Sequence, residues 1–231
     1  MPSNQRELPY KTVGSVIPTS VGWLLASAKL RGATFVPDFP HVFEELHDAI
    51  QRRPAFTVVA LDAPIGGQAA SFSGKRSCDE SARTLLDMSV PEARWKDLAF
   101  AMAHVGNANG LSGTTYLRER YREIAEVIAP YIQRTVCECL PDLSFYQLNG
   151  ERPLVHRSDT TEGYDERRAL LDKVPGIGRI LDATEPGVSR LQLLDAGALL
   201  WTARRIAARA AKRVPSLPEW DEHGLRIEIL R

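Results

Sequence analysis

The stretch from Phe56 to Gly66 constrains the fold of this chain more than any other. It reads Phe-Thr-Val-Val-Ala-Leu-Asp-Ala-Pro-Ile-Gly, an apolar and β-branched run typical of a strand that is buried on both faces. Pro64 and Gly66 end this strand directly after Asp62. Because ligands of α/β sheets collect at the carboxyl ends of strands, Asp62 lies where catalytic groups are usually found. The alternative is that Asp62 only accepts hydrogen bonds from the turn that follows it.

Length, charge and cysteine content narrow the class of protein. The 231 residues are 44% hydrophobic and 25% charged, which is typical of a globular chain with a substantial core. The 29 basic residues balance 29 acidic ones, so a nucleic-acid partner would have to contact a local basic patch. Three cysteines without a CxxC pair argue against a disulfide framework and against a zinc ribbon. With no signal-like or membrane-spanning apolar segment, we expect a cytoplasmic protein without a membrane partner.

Hydrophobic periodicity predicts an α/β order of elements. A meander of three strands precedes a helix and the Asp62 strand, and helices alternate with short strands afterwards. Besides the Asp62 strand, the predicted strands cover residues 12–17, 21–28, 33–36, 134–139 and 225–230. The predicted helices cover residues 40–53, 115–130, 161–174 and 191–213. Residues 63–112 lack a strong period and are predicted to form a long insertion in a single domain over residues 1–231.

Three carboxylates interrupt segments that otherwise resemble core. Asp62 and Glu138 end apolar strands, and Asp195 lies inside an apolar helix. Since a buried carboxylate is costly unless it is paired or bound to a metal, these three acids could converge on a Mg²⁺ or Mn²⁺ site. The alternative is that each acid has its own arginine partner. The arginines available for this are Arg83, Arg134, Arg167 and Arg204.

Several short motifs follow one another in an order that resembles a known family. They are Gly22-Trp23, Leu61–Gly66, Cys78–Arg83, Ser89-Val90, Glu138–Phe145, Gly163–Arg168 and Leu194–Ala196. In these motifs, from about residue 13 to residue 208, the chain resembles the domain of unknown function 429 family, whose members are predicted to be nucleases with a ribonuclease-H-like fold. The resemblance implies an α/β fold with a ribonuclease-H-like mixed β-sheet flanked by helices. It also implies that carboxylates at strand ends and in the last helix surround one catalytic centre.

Two of the chain's departures from the family pattern replace carboxylates. Family members usually carry an aspartate a few residues before Gly-Trp, and that position falls on Ile17. The paired acids expected shortly before Asp195 are replaced by Leu191 and Gln192. Fewer anionic oxygens would weaken the binding of two divalent cations. The chain could therefore be a one-metal enzyme, a degenerate homologue that only binds, or an enzyme that uses another acid such as Asp79.

The sequence predicts a divalent-metal-dependent nuclease that hydrolyses phosphodiester bonds of nucleic acid. Asp62, Glu138 and Asp195 are the predicted catalytic residues and ligands of Mg²⁺ or Mn²⁺. The resemblance adds Arg83 as a catalytic residue near the scissile phosphate. Residues of the insertion are predicted to bind substrate, although solvated surface charge is the alternative. These residues are Lys75, Arg76 and Asp79. The alternative function, which Ile17 favours, is a catalytically degenerate ribonuclease-H-like binding or regulatory module.

Overall fold

A six-stranded mixed sheet organises the described part of the chain. The structure is a computed structural model that describes residues 10–32, 34–67, 76–86 and 115–231. The strands are β1 Lys11–Thr19, β2 Gly22–Arg31, β3 Thr34–Pro37, β4 His41–Phe43, β5 Val58–Leu61 and β6 Val136–Glu138. Their order is β3-β2-β1-β5-β6, with β4 paired to β2 outside this path. Because β1, β5 and β6 are parallel, their carboxyl ends meet at one edge of the sheet.

Helices flank this sheet, and a separate two-stranded hairpin follows the last helix. The helices are α1 Leu46–Ile50, α2 Ser77–Leu85, α3 Thr115–Val127, α4 Pro141–Leu148, α5 Thr161–Leu171, α6 Gly178–Leu181 and α7 Arg190–Ala207. The hairpin strands are β7 Arg213–Trp220 and β8 Arg226–Leu230, and Cys139 joins the hairpin to the end of β6 through a bridge to Leu230. Among the residues that the structure describes, no helix is long and apolar enough to cross a membrane.

Side-chain alternation along the strands separates two apolar cores. Val13, Ile17 and Ala60 belong to a cluster that contains most of the buried residues of α7. Val16 and Leu61 belong to a second cluster with residues of α1 and α3. We call the two sides of the sheet the α7 face and the α3 face. Alternate residues of a central strand therefore face opposite sides of the sheet, and each side chain packs against the helices on its own side.

One set of hydrogen bonds caps the start of helix α7, and another bond joins this helix to β1. The Ser189 side chain accepts a hydrogen bond from the backbone N–H of Gln192, whose side chain accepts one from the backbone N–H of Ser189. This capping box satisfies N–H groups that the first turn of a helix leaves unpaired. Farther along, the buried Ser15 hydroxyl donates to the Ala196 carbonyl at 2.8 Å. The register of α7 against β1 is therefore defined by named polar contacts as well as by apolar packing.

The observed elements confirm most of the predicted order and correct the bounds of two predicted helices. The predicted helix over residues 40–53 is wrong in its first part, because residues 41–43 form β4 and α1 spans only Leu46–Ile50. Val42 and Phe43 pair with Leu24 and Trp23 of β2, so ladder hydrogen bonds outweigh their helical spacing. The last helix ends at Ala207 rather than at residue 213. Arg209 has a φ of 58°, which an α-helix does not tolerate, and β7 begins at Arg213.

The fold class agrees with the prediction from the sequence. A mixed sheet with helices on its faces is an α/β architecture, and it is consistent with a ribonuclease-H-like fold. Within the predicted insertion over residues 63–112, residues 77–85 form α2, which the periodicity did not reveal. Residues 68–75 and 87–112 of that insertion lie outside the described residues. The assignment of residues 1–231 to one domain stays a prediction.

Gly22, part of the Gly-Trp motif, offers a test of the packing of β2 against β4. Its φ is +145°, and a Cβ there would lie 2.2 Å from the carbonyl oxygen of Phe43. We expect Gly22→Ala to lower the free energy of unfolding by more than about 2 kcal/mol, because backbone must move to relieve the clash. Gly32→Ala is the matched control, since Gly32 also has a positive φ but nothing within 4 Å of the added Cβ. We expect this control to cost about 1 kcal/mol. The measurement is denaturant unfolding, and equal losses of unfolding free energy in the two variants would contradict the close packing of β2 against β4 at Gly22.

Candidate functional site

Asp62 lies at the carboxyl end of β5, as its sequence context predicts. Its backbone N–H donates to the Val16 carbonyl at 2.9 Å, so it continues the parallel ladder between β1 and β5. Ala60 packs on the α7 face and Leu61 on the α3 face, and alternation places the half-buried Asp62 on the α7 face. Cys139 is near it: burial raises the pKa of this thiol, and the negative charge of Asp62 is one of the charges that raise it further.

Ile17 is the β1 neighbour of Asp62. In the parallel register Val16 lies opposite Leu61, so the next residue of each strand is Ile17 and Asp62. Ile17 is 2% exposed and packs in the apolar cluster of the α7 face. An isoleucine offers no ligand atom to a cation. The position where the family resemblance implies an aspartate therefore contributes to the core between β1 and α7.

Asp195 approaches the same end of the sheet from α7. The Gln192 side-chain amide donates to the Pro18 carbonyl at 3.4 Å, and Ser15 bonds to Ala196 one residue beyond Asp195. These contacts align the segment that contains Asp195 with the carboxyl half of β1. Asp195 itself is 5% exposed. Asp62 and Asp195 therefore belong to the same face and the same end of the sheet.

Glu138 belongs to the opposite face. Cys137 and Cys139 both pack against the α7-face cluster, so the side chain between them points to the α3 face. Glu138 is 7% exposed, and its Oε2 accepts hydrogen bonds from the Ile65 backbone N–H at 2.7 Å and from Arg76 Nη2 at 2.5 Å. The contact with Ile65 holds the turn that follows Asp62. Glu138 is thereby linked to the position of Asp62 without facing it.

Four side chains form an ion cluster around Glu138, which we call the buried ion cluster because all of its members except the half-buried Asp79 are buried. We define the cluster as Arg76, Cys78, Asp79 and Glu138. Arg76, which is 2% exposed, donates from Nη2 to Cys78 Sγ at 3.1 Å, and its Nη1 lies 3.9 Å from Asp79 Oδ1. Cys78 and Asp79 are in the first turn of α2, so the cluster ties this helix to the end of β6. A single guanidinium thus serves two carboxylates and a thiol.

Burial determines the protonation of this cluster. Burial raises the pKa of Glu138 to about 7, although the Arg76 charge opposes the rise. Burial likewise raises the pKa of Asp79, against the charges of Arg76 and Arg83. The pKa of the Cys78 thiol is raised well above its usual range by burial and by Glu138. The cluster therefore holds a neutral thiol and more protons near neutral pH than the same groups hold in water.

The donor atoms of the ion cluster are close enough to share a divalent cation, but they are not the kinds of ligand that Mg²⁺ or Mn²⁺ prefers. The ligand atoms of Cys78, Asp79 and Glu138 lie within 4.8 Å of one another, which among the described residues makes a possible three-donor group. The Arg76 guanidinium already occupies this group and donates to two of its three members. Mg²⁺ and Mn²⁺ prefer oxygen ligands, and a protonated thiol is not such a ligand. The donors therefore fit an arginine better than they fit a hard metal ion.

The predicted site residues lie at different places in the structure. Among the described residues, Asp62, Glu138 and Asp195 do not form a three-donor group, because the sheet separates Glu138 from the other two. Arg76 and Asp79, predicted to bind substrate, lie in the buried ion cluster. Arg83 lies on α2, close enough to Asp79 to influence its pKa. Lys75 lies outside the described residues. The catalytic, metal-binding and substrate-binding roles of all these residues stay predictions.

Two members of the arrangement were missed by sequence reasoning. Cys78 appears in a family motif, but the spacing of residues in the sequence does not predict that Cys78 accepts a hydrogen bond from Arg76. The Ile65 backbone N–H that binds Glu138 is equally invisible, because any residue except proline carries that donor. The contact pairs residues 73 positions apart in the chain. Such partners become apparent only when β5 and β6 pair.

The raised pKa of Glu138 predicts a pH-dependent stability. The folded state keeps a proton on Glu138 up to about pH 7, whereas the pKa of this carboxyl group in the unfolded chain is 4.5. This difference in pKa stabilises the folded state by about 3 kcal/mol. The stabilisation is complete below the lower pKa and is lost as the pH rises towards the upper one. We expect the free energy of unfolding to fall over this range more steeply in the wild type than in Glu138→Gln. Denaturant titrations at several pH values measure it. Glu126→Gln, an exposed acid of α3, is the control and should keep the wild-type slope; identical slopes in all three proteins would contradict the prediction.

Comparison with known proteins assigns the chain to a family. The sequence model of the family described as "Protein of unknown function (DUF429)" matches residues 18–220, which include Asp62, Glu138 and Asp195. The match begins directly after Ile17 and covers most of the chain. No curated protein and no solved structure matches this sequence. The family resemblance inferred from the motifs is confirmed, and the chain is a member of the DUF429 family.

Proposed function

We propose that this protein is a divalent-metal-dependent nuclease that hydrolyses phosphodiester bonds, with Asp62 and Asp195 as its acidic pair. The observation that supports the proposal is their arrangement: Asp62 follows β5, and Asp195 lies in the helix that covers the same face at the same end of the sheet. Carboxyl ends of parallel strands are where α/β sheets collect their ligands. Two carboxylates from distant parts of the chain at this edge favour a catalytic site over separate structural roles.

The donor chemistry of this pair fits a hard divalent cation. Mg²⁺ retains several waters and is often held by only one or two carboxylates, so Asp62 and Asp195 would suffice as its protein ligands. Ile17 removes the third carboxylate, which favours one ion rather than two. A bound Mg²⁺ or Mn²⁺ would supply Lewis-acid polarisation of a phosphoryl oxygen and a more acidic water.

The chain's own residues hold the two carboxylates in place. The Asp62 backbone is fixed by its hydrogen bond to Val16, and the turn after it is held by Glu138 through the Ile65 N–H. The Asp195 segment is fixed by the bond between Ser15 and Ala196. Catalytic groups gain from such support, because less orientational freedom is lost on reaching the transition state. In this proposal Glu138 and Arg76 position the site and do not touch the substrate.

The proposed substrate is nucleic acid, and the proposed compartment is the cytoplasm. With a net charge of zero, phosphate contacts would come from local cations such as Arg83 rather than from a global field. The three cysteines are free thiols, which suits a reducing compartment.

Conservative replacement of the acidic pair tests the catalytic proposal. We expect Asp62→Asn and Asp195→Asn each to lower Mg²⁺- or Mn²⁺-dependent cleavage of DNA and RNA at least about 100-fold, because each removes an anionic ligand. The measurement is cleavage of labelled single- and double-stranded substrates with either ion. Asp159→Asn is the matched control, since Asp159 is exposed and paired with Arg157. Activity that persists equally in all variants would refute the proposal.

A second candidate is a ribonuclease-H-like binding or regulatory module without catalysis. Ile17 and the absence of acidic residues from the first turn of α7 favour it specifically. Such a module would keep the fold and the buried ion cluster while having lost the ligands that bind metal. Calorimetric titration with Mn²⁺ distinguishes the two: binding that depends on Asp62 supports the enzyme, and its absence together with retained nucleic-acid binding supports the module.

Restoring a carboxylate beside Asp62 provides a gain-of-function test. We expect Ile17→Asp to lose several kcal/mol of stability without metal, because it places a charge in an apolar core. With Mn²⁺ present, its melting temperature should rise more than that of the wild type, because three carboxylates then share one ion. The control is Ile17→Asp combined with Asp62→Asn, which should lose this response. An Mn²⁺ response equal to that of the double variant would show that residue 17 does not lie beside the metal position.

A further inference from the structure

A small cationic cavity lies at the end of the sheet opposite Asp62. Its volume is about 140 Å³, and it opens beside the amino-terminal ends of β1 and β5. The charged residues that line it are Lys29, Asp38, Arg52, Arg53 and Arg179. Four cations and one carboxylate give the lining a formal charge of +3 in a chain whose net charge is zero. The proposed catalytic acids lie at the other end of β1, so this cavity is separate from that site.

The cations of this cavity have no acidic partners within the described part of the chain. Among the described residues, none of the four forms an ion pair, and the Asp38 carboxylate instead accepts a hydrogen bond from the Phe39 backbone at 3.0 Å. Arg52 Nη1 is shielded from solvent and has no hydrogen-bond partner within the described ranges. An unsatisfied buried donor is costly, and the cost is greater when the group is charged. An anion in the cavity would remove this cost after a small movement of the Arg52 side chain.

Other groups on the wall are preorganised for an anion. Arg179 donates from Nη1 to the Pro37 carbonyl at 3.2 Å and lies over the Phe39 ring, with its guanidinium carbon 5.2 Å from the ring centre. These contacts restrain the guanidinium and leave other N–H groups for a ligand. The hydroxyl residues Thr12 and Ser27, which are 7% and 8% exposed, also line the cavity. Arginine forks together with hydroxyls are common partners of phosphate oxygens.

We propose that this cavity binds a phosphate dianion, either free or as the terminal group of a larger ligand. The charge of the lining favours a dianion over a monocarboxylate. The volume of about 140 Å³ is well below the roughly 300 Å³ at which pockets for whole organic ligands begin. The phosphoryl group therefore occupies the cavity and the remainder of the ligand lies outside it. The site recognises either free phosphate or the terminal phosphate of a nucleotide or oligonucleotide.

Binding measurements at constant ionic strength test this site. The probes are inorganic phosphate, adenosine 5′-monophosphate and a 5′-phosphorylated oligonucleotide, each titrated calorimetrically, with acetate as the monoanionic comparison. We expect phosphate to bind with a Kd of about 1 mM or lower, and acetate to bind at least about tenfold more weakly. Tighter binding of the two esters than of phosphate identifies an ester ligand, and the reverse identifies free phosphate. The absence of saturable binding by all three phosphate probes would overturn the proposal.

Variants of the lining connect the binding to the cavity. We expect Arg52→Gln and Arg179→Gln each to weaken binding at least about tenfold, the loss that follows from removing one charged hydrogen bond. Arg157→Gln is the matched control, because Arg157 is an exposed arginine paired with Asp159 and should bind as the wild type does. Arg52→Gln should keep or raise the melting temperature without ligand, since it removes the Nη1 donor, which is shielded from solvent and has no hydrogen-bond partner among the described residues. Equal affinity in the cavity variants and the control would overturn the proposal.

The site of phosphate binding is distinguished from the proposed nuclease site by Asp62→Asn. This variant should leave phosphate binding unchanged, so the two proposals can fail independently.

Discussion

The parallel pairing of β1, β5 and β6 is the constraint on which the arrangement of the functional groups depends. It sets Val16 beside Leu61 and Leu61 beside Glu138, so every side chain at the carboxyl edge is assigned to a face by its place in that register. A shift of one residue in β5 would exchange the faces of Leu61 and Asp62. The apolar clusters on both sides prevent such a shift, because each requires its own half of the alternating residues.

This register also explains why the three acids lie on two different faces of the sheet. Asp62 and Asp195 remain together on the α7 face, while Glu138 is directed to the α3 face, where it meets Arg76 and the Ile65 N–H. A buried carboxylate that accepts hydrogen bonds from a guanidinium and a backbone amide is satisfied without a metal. The ion cluster therefore stabilises the turn behind Asp62, and the proposed metal chemistry is assigned to the other two acids. Ile17 limits that capacity, because it gives the β1 position beside Asp62 to the core.

The two ends of the sheet differ in charge and in the ligands that they suit. At the carboxyl end, oxygen ligands from Asp62 and Asp195 suit a hard cation. At the amino-terminal end, cations without acidic partners among the described residues line a small cavity that suits an anion. The net charge of zero does not reveal this difference, because the acidic groups at one end of the sheet and the basic groups at the other cancel in the sum. Membership of the DUF429 family agrees with the fold and leaves both ligand proposals to experiment.

The sequence by itself determined the α/β class, the meander, the strand that ends at Asp62 and the family, because apolar periodicity and short ordered motifs are local properties of the chain. It also identified Ile17 as a departure, since that residue can be counted back from Trp23. Only the tertiary structure decided that Glu138 faces away from Asp62, that Arg76 lies among the acids, and that four cations from three separate segments surround one cavity. The same cause underlies all three: pairing between strands sets the face and the neighbours of a side chain, and those neighbours come from remote segments. Residues 41–43 show this competition directly, because pairing with β2 prevailed over a helical spacing that was genuinely present.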